Sequence, residues 1–576
     1  MKKKNIFSGK LLKICLLLLL PVLAVTSFFI FKTKAQTADT ETITTHVTVG
    51  NTPPAFKSTA PTGFPKENTA STATVPTAIG SAVNFRATAI DDNGESYFLT
   101  ICSTNSITPV NGSAGNCASG AKTYCKSTST TSGSQASCSY TTLAGDPWSN
   151  DWYAFVCDSN STASTCSASH QGSGDSGSPF FVSHPPAFTA ITNNSPVNPG
   201  QTVTWTATAS DSDEQQVKLL VCKTAGITAA GACTGGAWCT SSNVDSNPSC
   251  SHSVPVPTVA GTNNAYVYVV DTLNTPATGT TQGSNSSFVV SNVAPTIPTI
   301  TLNGGQPITL TESDETPVLI TASVVDNNGC STLSTIEGYI YRSGVGYSGA
   351  TGCGTAANAN DNNCYRDTKV TCVRNSCAGT TAQYTCTANI QYFADPTTTG
   401  TKFPAENWLT TVKATDSGSL STNTEITTGV EMNALLAFDV SSSPAEKSIE
   451  FGNLDPGASS APLVPLTTRA TGNVGLDQSH HSTNANMCTN FPGCTGGTPI
   501  PITNQRYSIL SSATYASATP LGTTANEVEL NVNKPTSTTA VEKKTYWGIL
   551  IPTGTLPGSY SGVNTITAIL GEIADW

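Results

Sequence analysis

The sequence is short of charge. Asp, Glu, Lys and Arg make up 11% of its 576 residues, against about a quarter in ordinary soluble domains. That argues against a cytosolic helical enzyme, whose surface helices are rich in Glu, Lys and Arg. No basic cluster occurs beyond residue 34, and the net charge is −11. Nucleic-acid binding therefore lacks its electrostatic footprint. No CxxC spacing occurs among the cysteines, so zinc ribbons and thioredoxin-like sites lack support. Beyond residue 35 no apolar run reaches membrane length, which confines expected membrane contact to residues 14–31. No 3.6-residue periodicity stands out past the same point. What fills the chain instead is Ser, Thr, Asn and Gly, enough of it for about three to five domains.

The N-terminus assigns the compartment. Lys2, Lys3, Lys4, Lys10 and Lys13 precede the apolar run Ile14–Phe31, a positive region followed by a hydrophobic one. Thr33-Lys34-Ala35 is a small-x-small cleavage site before Gln36. Residues 1–35 are expected to be a signal peptide or an anchor helix, and 36–51 a linker. Either way the chain from 36 onward is exported. Cys15 lies at the start of the run, not after it, which disfavours a lipobox. The chain has 19 cysteines, and Cys15 apart they are even in number. In an exported chain they read as disulfides.

The strongest signal is repetition. The segment Asn51–Phe56 (NTPPAF) recurs as Ser183–Phe188 (SHPPAF) and more loosely as Asn292–Ile297. Each is followed by an alternating strand that ends on an acid: Val83–Asp91, Val203–Asp211 and Val318–Asp326. Apolar residues at every second position mark half-buried strands. A later strand also ends on Asp in each repeat: Trp152–Asp158, Ala265–Asp271 and Leu409–Asp416. The first two repeats close with Gln-Gly-Ser and the strands Phe180–Val182 and Phe288–Val290. Short strands with turn signals every 8–12 residues or so fit β-sandwiches.

This strand–Asp pattern and its Pro-x-Phe start resemble the tandem Ig-like, PKD-like and cadherin-like domains of uncharacterised bacterial secreted and cell-surface proteins. The resemblance covers roughly residues 52–430 and implies no enzymatic activity. The expected fold is all-β: tandem Ig-like antiparallel sandwiches at 52–183, 184–293 and 294–430, and a distinct C-terminal β-sandwich at 431–576. In that last part, Ile449–Gly457 reads as a strand running into a turn. Tyr546–Pro552 and Tyr560–Ile569, around Leu556-Pro557-Gly558-Ser559, predict a hairpin. Sandwiches on short Pro-containing links make a semi-stiff rod.

The cysteines of the first two repeats correspond in order. Cys157 and Cys166 have no counterpart in the second repeat, which pairs them with each other. The remaining four of each repeat admit three connectivities. The sequential one is favoured: Cys102–Cys117, Cys125–Cys138, Cys222–Cys233 and Cys239–Cys250. Cys353–Cys364, Cys372–Cys386 and Cys488–Cys494 are expected further on, with Cys330 and Cys377 left unassigned.

Gly174–Pro179 (GDSGSP) resembles the nucleophile segment of trypsin-like proteases and would nominate Ser176. The rest of a triad is missing, since His46 and His170 lack the required context. The segment reads instead as the loop before a closing strand. More promising are the acids. In an Ig-like sandwich the B–C and F–G loops share one end. That would gather Asp91, Asp92 and Asp158; Asp211, Asp213, Glu214 and Asp271; and Asp326, Asn327 and Asp416. Oxygen ligands on loops suit calcium, the one cofactor expected; capping of turn amides is the simpler role for Asp. His480, His481, Met487, Cys488 and Cys494 could hold copper, although the two cysteines flank a loop readily closed by a disulfide. Trp148, Trp152, Trp205 and Trp238 are candidates for sugar stacking. Trp205 falls on a core-facing position, while Trp148 and Trp238 fall in expected loops. The function expected is structural display or adhesion at a bacterial surface, toward a cell-surface protein or glycan. A secreted carbohydrate-binding protein is the alternative.

Overall fold

The computed structural model describes residues 41, 43–58, 63–172, 177–441 and 447–576. The leader with Cys15 and the segment around Ser176 lie outside the described residues. Among the described residues there is no α-helix, only short 3₁₀ turns, and no helix is long and apolar enough to cross a membrane. The chain forms two compact units. The first takes the segment up to Thr72, Ala82–Thr141 and Asn150–Phe180. The second takes Ala73–Ser81, Thr142–Ser149 and Phe181–Trp576.

In the first unit, strand Ala82–Ile90 lies between Ala55–Phe56 and the strands Lys66–Glu67 and Gln135–Thr141. The facing sheet has Tyr97–Cys102 between Tyr153–Asp158 and Thr123–Lys126. Alternation decides the faces: Val83, Phe85, Ala87 and Ala89 are buried from one sheet, and Tyr97, Leu99 and Ile101 from the other. Trp152 packs edge-on against Phe85 with ring centroids 5.0 Å apart. The Tyr97 hydroxyl ties the two sheets together. It accepts the Ala89 N–H at 3.0 Å and donates to the Ser134 carbonyl at 2.5 Å.

The second unit begins with the same arrangement. Thr202–Ser210 lies between Ala187–Asn193 and Ser249–Ser253, facing Val217–Cys222 between Ala237–Thr240 and Tyr266–Asp271. Val203, Trp205, Ala207 and Ala209 meet Val217, Leu219, Val221, Val267 and Val269 in its core. The next sandwich is more complete. Thr296–Leu302, Thr316–Val325, Thr381–Ile390 and Val370–Ala378 form one sheet. Cys364–Tyr365, Leu333–Arg342, Trp408–Asp416 and Ser421–Glu425 form the other. Its longer, more apolar strands bury the largest core cluster, around Ile320, Ile340, Trp408 and Val412.

The C-terminal part packs a five-stranded sheet against a three-stranded one. The first runs Phe438–Ser441, Val464–Ala470, Glu542–Ile549, Gln505–Ser508, Thr519–Pro520; the second runs Asn526–Val532, Leu476–Ser482, Asn564–Leu570. Two expectations fail in it. Glu542–Ile549 and Asn564–Leu570 are not a hairpin, because they sit in different sheets. Trp547 and Ile549 are drawn into the core beside Leu466, and the intervening loop crosses to the opposite sheet. The stretch around Ile449 is not a strand either. Ile449, Phe451 and Leu454 pack on that core without joining a ladder.

The disulfides are Cys102–Cys117, Cys125–Cys138, Cys157–Cys166, Cys222–Cys233, Cys239–Cys250, Cys330–Cys377, Cys353–Cys364, Cys372–Cys386 and Cys488–Cys494. Cys125–Cys138 joins an edge strand of one sheet to a strand of the other, and Cys239–Cys250 does the same in the second repeat. Cys372–Cys386 differs, since it links directly opposed residues within one sheet.

Candidate functional site

Strands Ala82–Ile90 and Tyr153–Asp158 deliver Asp91 and Asp158 to one end of the first sandwich, and both are buried. Asp91 Oδ1 closes a turn by accepting the N–H groups of Asn93 at 2.8 Å and Glu95 at 3.3 Å. Its Oδ2 is buried without a hydrogen-bond partner among the described residues. Asp158 Oδ2 accepts from Asn51 Nδ2 at 2.8 Å, from the Thr165 N–H at 2.9 Å and from Thr165 Oγ1 at 2.6 Å. Its Oδ1 accepts the Asn160 N–H at 3.1 Å. Burial pushes the Asp158 carboxyl up, but these donors from Thr165, Asn51 and Asn160 outweigh it and hold the group below its usual range. Glu95 completes the cluster. Its Oε1 accepts from Asn160 Nδ2 at 3.0 Å, and its Oε2 is buried and unpartnered. One oxygen each from Asp91, Glu95 and Asp158 lies within 4.8 Å of the other two. Asp92, named with this group from sequence, is exposed; the side chain that joins it is Glu95, because the Asp91 turn folds position 95 back.

The second repeat builds the same end with less acid. Asp211 Oδ1 accepts the Asp213 N–H at 2.7 Å, and Asp271 Oδ1 accepts those of Leu273 and Thr275 at 2.8 and 2.7 Å. The Oδ2 atoms of Asp211 and Asp271 are both buried and unpartnered among the described residues. The position of Glu95 is taken by Gln215, which donates to Ser183 Oγ at 3.0 Å. Asp213 is turned to His184, pairing with Nδ1 at 2.9 Å and accepting its backbone N–H. Glu214 is exposed, at φ 62°. Burial first, then the negative charges of Asp213 and Asp271, push the Asp211 carboxyl up to about 6.

The third repeat is self-satisfied. Asp326 accepts the Asn328 N–H at 2.8 Å and the Thr332 hydroxyl at 2.9 Å. Asp416 accepts the Leu420 N–H at 2.9 Å and Asn292 Nδ2 at 2.9 Å. Every carboxylate oxygen of the pair therefore has a donor, and the position of Glu95 is the disulfide-bonded Cys330.

One device recurs in all three. The residue two beyond the acid ties down the leading segment of its repeat. Asn93 Oδ1 accepts the Thr52 N–H at 2.9 Å, Asp213 accepts that of His184, and Asn328 Oδ1 accepts that of Val293 at 2.8 Å. Sequence reasoning missed Asn51 and Glu95. The signal for Asn51 was present, since it heads the repeated segment together with Asn292.

The other candidates serve the cores. His480 is fully buried against Tyr507 and Trp547, with Nε2 3.0 Å from Gln478 Oε1, and burial drives its pKa down to about 4. Cys488 and Cys494 are consumed by their disulfide, which takes two soft ligands from the copper set. Trp152 and Trp205 are completely buried. Trp238 lies on a strand, not in a loop. It stacks edge-on to Phe288 and donates from Nε1 to the Asn264 carbonyl at 2.9 Å. Trp148 is partly covered by Phe181, at a ring distance of 5.1 Å.

No family model and no curated protein matches the chain. Among solved structures it is similar to a marsupial T cell receptor: 10% identity over 63% of this chain and 98% of that one, TM-score 0.26. It is also similar to the FN1–FN3 domains of chicken CNTN1, with 9% identity over 65% and 98%, TM-score 0.18. A 1.5-MDa bacterial ice-binding adhesin matches at 13% identity over 62% and 92%, TM-score 0.21. At these identities and scores the likeness carries no inference about partner or activity.

Proposed function

We propose that the chain is an exported, non-enzymatic surface protein of a bacterial envelope. Its disulfide-stapled β-sandwiches serve structural display or adhesion. We assign the leader to residues 1–35 and the four sandwiches to 52–183, 184–293, 294–430 and 431–576. The observation that carries this reading is the tie made three times between a leading segment and the acidic loop of its own sandwich. It spends the polar residues of the loops on joining one sandwich to the chain before it, as a tandem array requires. Tryptophans packed into sandwich cores give no such support to a carbohydrate-binding role.

Within this reading the first repeat takes a calcium ion. Asp91, Glu95 and Asp158 bring three carboxylates together, two with buried, unpartnered oxygens. Calcium binds such hard oxygen ligands on loops. In the second repeat Asp213 is paired with His184, which leaves Asp211 and Asp271, and in the third the oxygens of Asp326 and Asp416 already have donors.

Binding of the oxidised chain to intact bacterial cells tests the proposal, with calcium, with EDTA and with competing glycans. Saturable binding that EDTA abolishes is the expected result. Binding lost only to sugars would reverse the order of the two readings, and absence of binding under every condition would overturn adhesion.

A further inference from the structure

The two sheets of the C-terminal sandwich are unequal. A five-stranded sheet faces one of three, and the shorter sheet ends at Asn564–Leu570. That strand pairs with Leu476–Ser482 and with no other strand among the described residues. An unpaired strand edge is a template for another strand. Beside it an open cleft of about 1200 Å³ lies between the sheets. Val440, Leu466 and Ile549 line it from three strands of the longer sheet, and Ile566 lines it from the edge strand. Val440 and Ile566 are only partly buried. At the rim Leu556 and Val563 are 57% and 47% exposed. The stretch 449–454 also lines the cleft but supplies no strand. The longer sheet thus turns apolar side chains toward a place where the shorter sheet has run out.

Residues 43–49 supply what the cleft lacks. They read Ile-Thr-Thr-His-Val-Thr-Val, with Ile43, Thr45, Val47 and Val49 on one side of the alternation. That is the pattern of a half-buried strand, yet the segment joins no ladder. Ile43, Val47 and Val49 are 85%, 87% and 77% exposed. No Asp, Glu, Lys or Arg occurs from 42 to 56, so the segment carries no fixed charge into an apolar site. Its seven residues equal the seven of Asn564–Leu570. It stops where the chain is tied down, since Asn51 Nδ2 donates to Asp158 and the Thr52 N–H donates to Asn93. Length, alternation and absence of charge all match the segment to the free edge and its cleft.

We propose that residues 43–49 of one chain add a strand beside Asn564–Leu570 of a second copy, with Ile43, Val47 and Val49 filling the cleft. Main-chain hydrogen bonds to the free edge give the affinity, and the alternate side chains set the register. Donor and acceptor are different surfaces of the same chain, so the contact is heterologous and can repeat from copy to copy. In the envelope the assembly rests on the proposed cleavage before Gln36, which frees the donor segment.

The oxidised chain from residue 36 onward is followed by light scattering over a concentration series, beside the Val47→Asp/Val49→Asp variant, whose changes are both on exposed side chains. Starting at Gln36 separates this test from whether cells cleave the leader. The parent is expected to grow in mass with concentration and the variant to stay monomeric. A synthetic peptide of residues 41–50 should bind the variant saturably, slow amide exchange across Asn564–Leu570 and halt growth of the parent. The same peptide carrying both substitutions should bind at least about tenfold more weakly. A parent that stays monomeric overturns the proposal and leaves cell binding untouched. A double variant that assembles like the parent also overturns it. So does an unsubstituted peptide that fails to bind, or one that binds without slowing exchange at Asn564–Leu570.

Discussion

Single carboxylate oxygens decide what each loop can do. A buried oxygen without a donor is costly to desolvate, and Asp91 and Glu95 each leave one. A bound cation relieves that cost and stabilises the folded state by mass action, by about 2.7 kcal/mol at a hundredfold excess over Kd. Calcium is therefore expected to raise the melting temperature of the first unit, and Glu95→Gln to remove most of that rise. A calorimetric scan with and without EDTA checks both. Asp211 makes the opposite prediction, for pH. Its folded pKa is raised from 3.8 to about 6, so the folded state keeps a proton that the unfolded chain gives up. Its contribution to stability is thus greatest below pH 3.8 and is lost as pH rises through about 6. Denaturant midpoints across that window should fall with pH in the parent and fall less in Asp211→Asn. Both carboxylates end alternating strands, and that much was legible. Which oxygen lacks a donor was not, because it depends on how each loop folds back, as at Thr165 and Thr332, and on donors such as Asn51 and Asn292 from the leading segments.

At the scale of elements, the staples compensate for loops that cannot bury enough apolar area to hold themselves. Cys125–Cys138 spans 13 residues and bridges the two sheets of its sandwich. The chain-entropy model gives a loop of that size about 3 kcal/mol. The Cys125→Ser/Cys138→Ser variant is expected to lose a stability of that order in urea, with Cys157–Cys166 intact by peptide mapping. The strands of the repeats follow from their alternation and end on their acids. The C-terminal sandwich departs from that reading for a physical reason. A run such as Tyr546–Pro552 is apolar enough to be a strand in either sheet, and nothing local selects its partner. Trp547 selects it, by filling the core between Leu466 and Tyr507.

Across the second unit, the third sandwich and the C-terminal one are joined by buried charge. Lys534 is 6% exposed, with Nζ 3.1 Å from Asp395 Oδ1 and 2.9 Å from Asn362 Oδ1. Burial lowers the Lys534 pKa although Asp395 stands beside it. Asp395 also receives Arg342 Nε at 3.2 Å, and Arg342 lies over the Phe403 ring and pairs with Glu406. Asn473 Nδ2 donates across the same junction to the Ala394 carbonyl at 3.1 Å. Removing one partner of such a pair strands the other, at a cost of about 3–5 kcal/mol. Asp395→Ala is accordingly expected to separate the melting of these two sandwiches into distinct calorimetric steps. A single unshifted transition would show that the charge network does not couple them.

The sequence by itself determined the all-β character, the tandem repeat and the acids at the strand ends. These rest on period-2 alternation and on turn chemistry, which act between near neighbours. Tertiary structure alone decided that Glu95 and Asn51, rather than Asp92, complete the first cluster. It also decided that the oxygens of Asp326 and Asp416 all find hydrogen-bond donors, and that Asp477, Glu529 and Glu572 meet on one sheet edge. Those outcomes depend on register, on a bulge and on which loops share an end of a sandwich. Such relations join residues far apart in the chain, and local pattern does not record them.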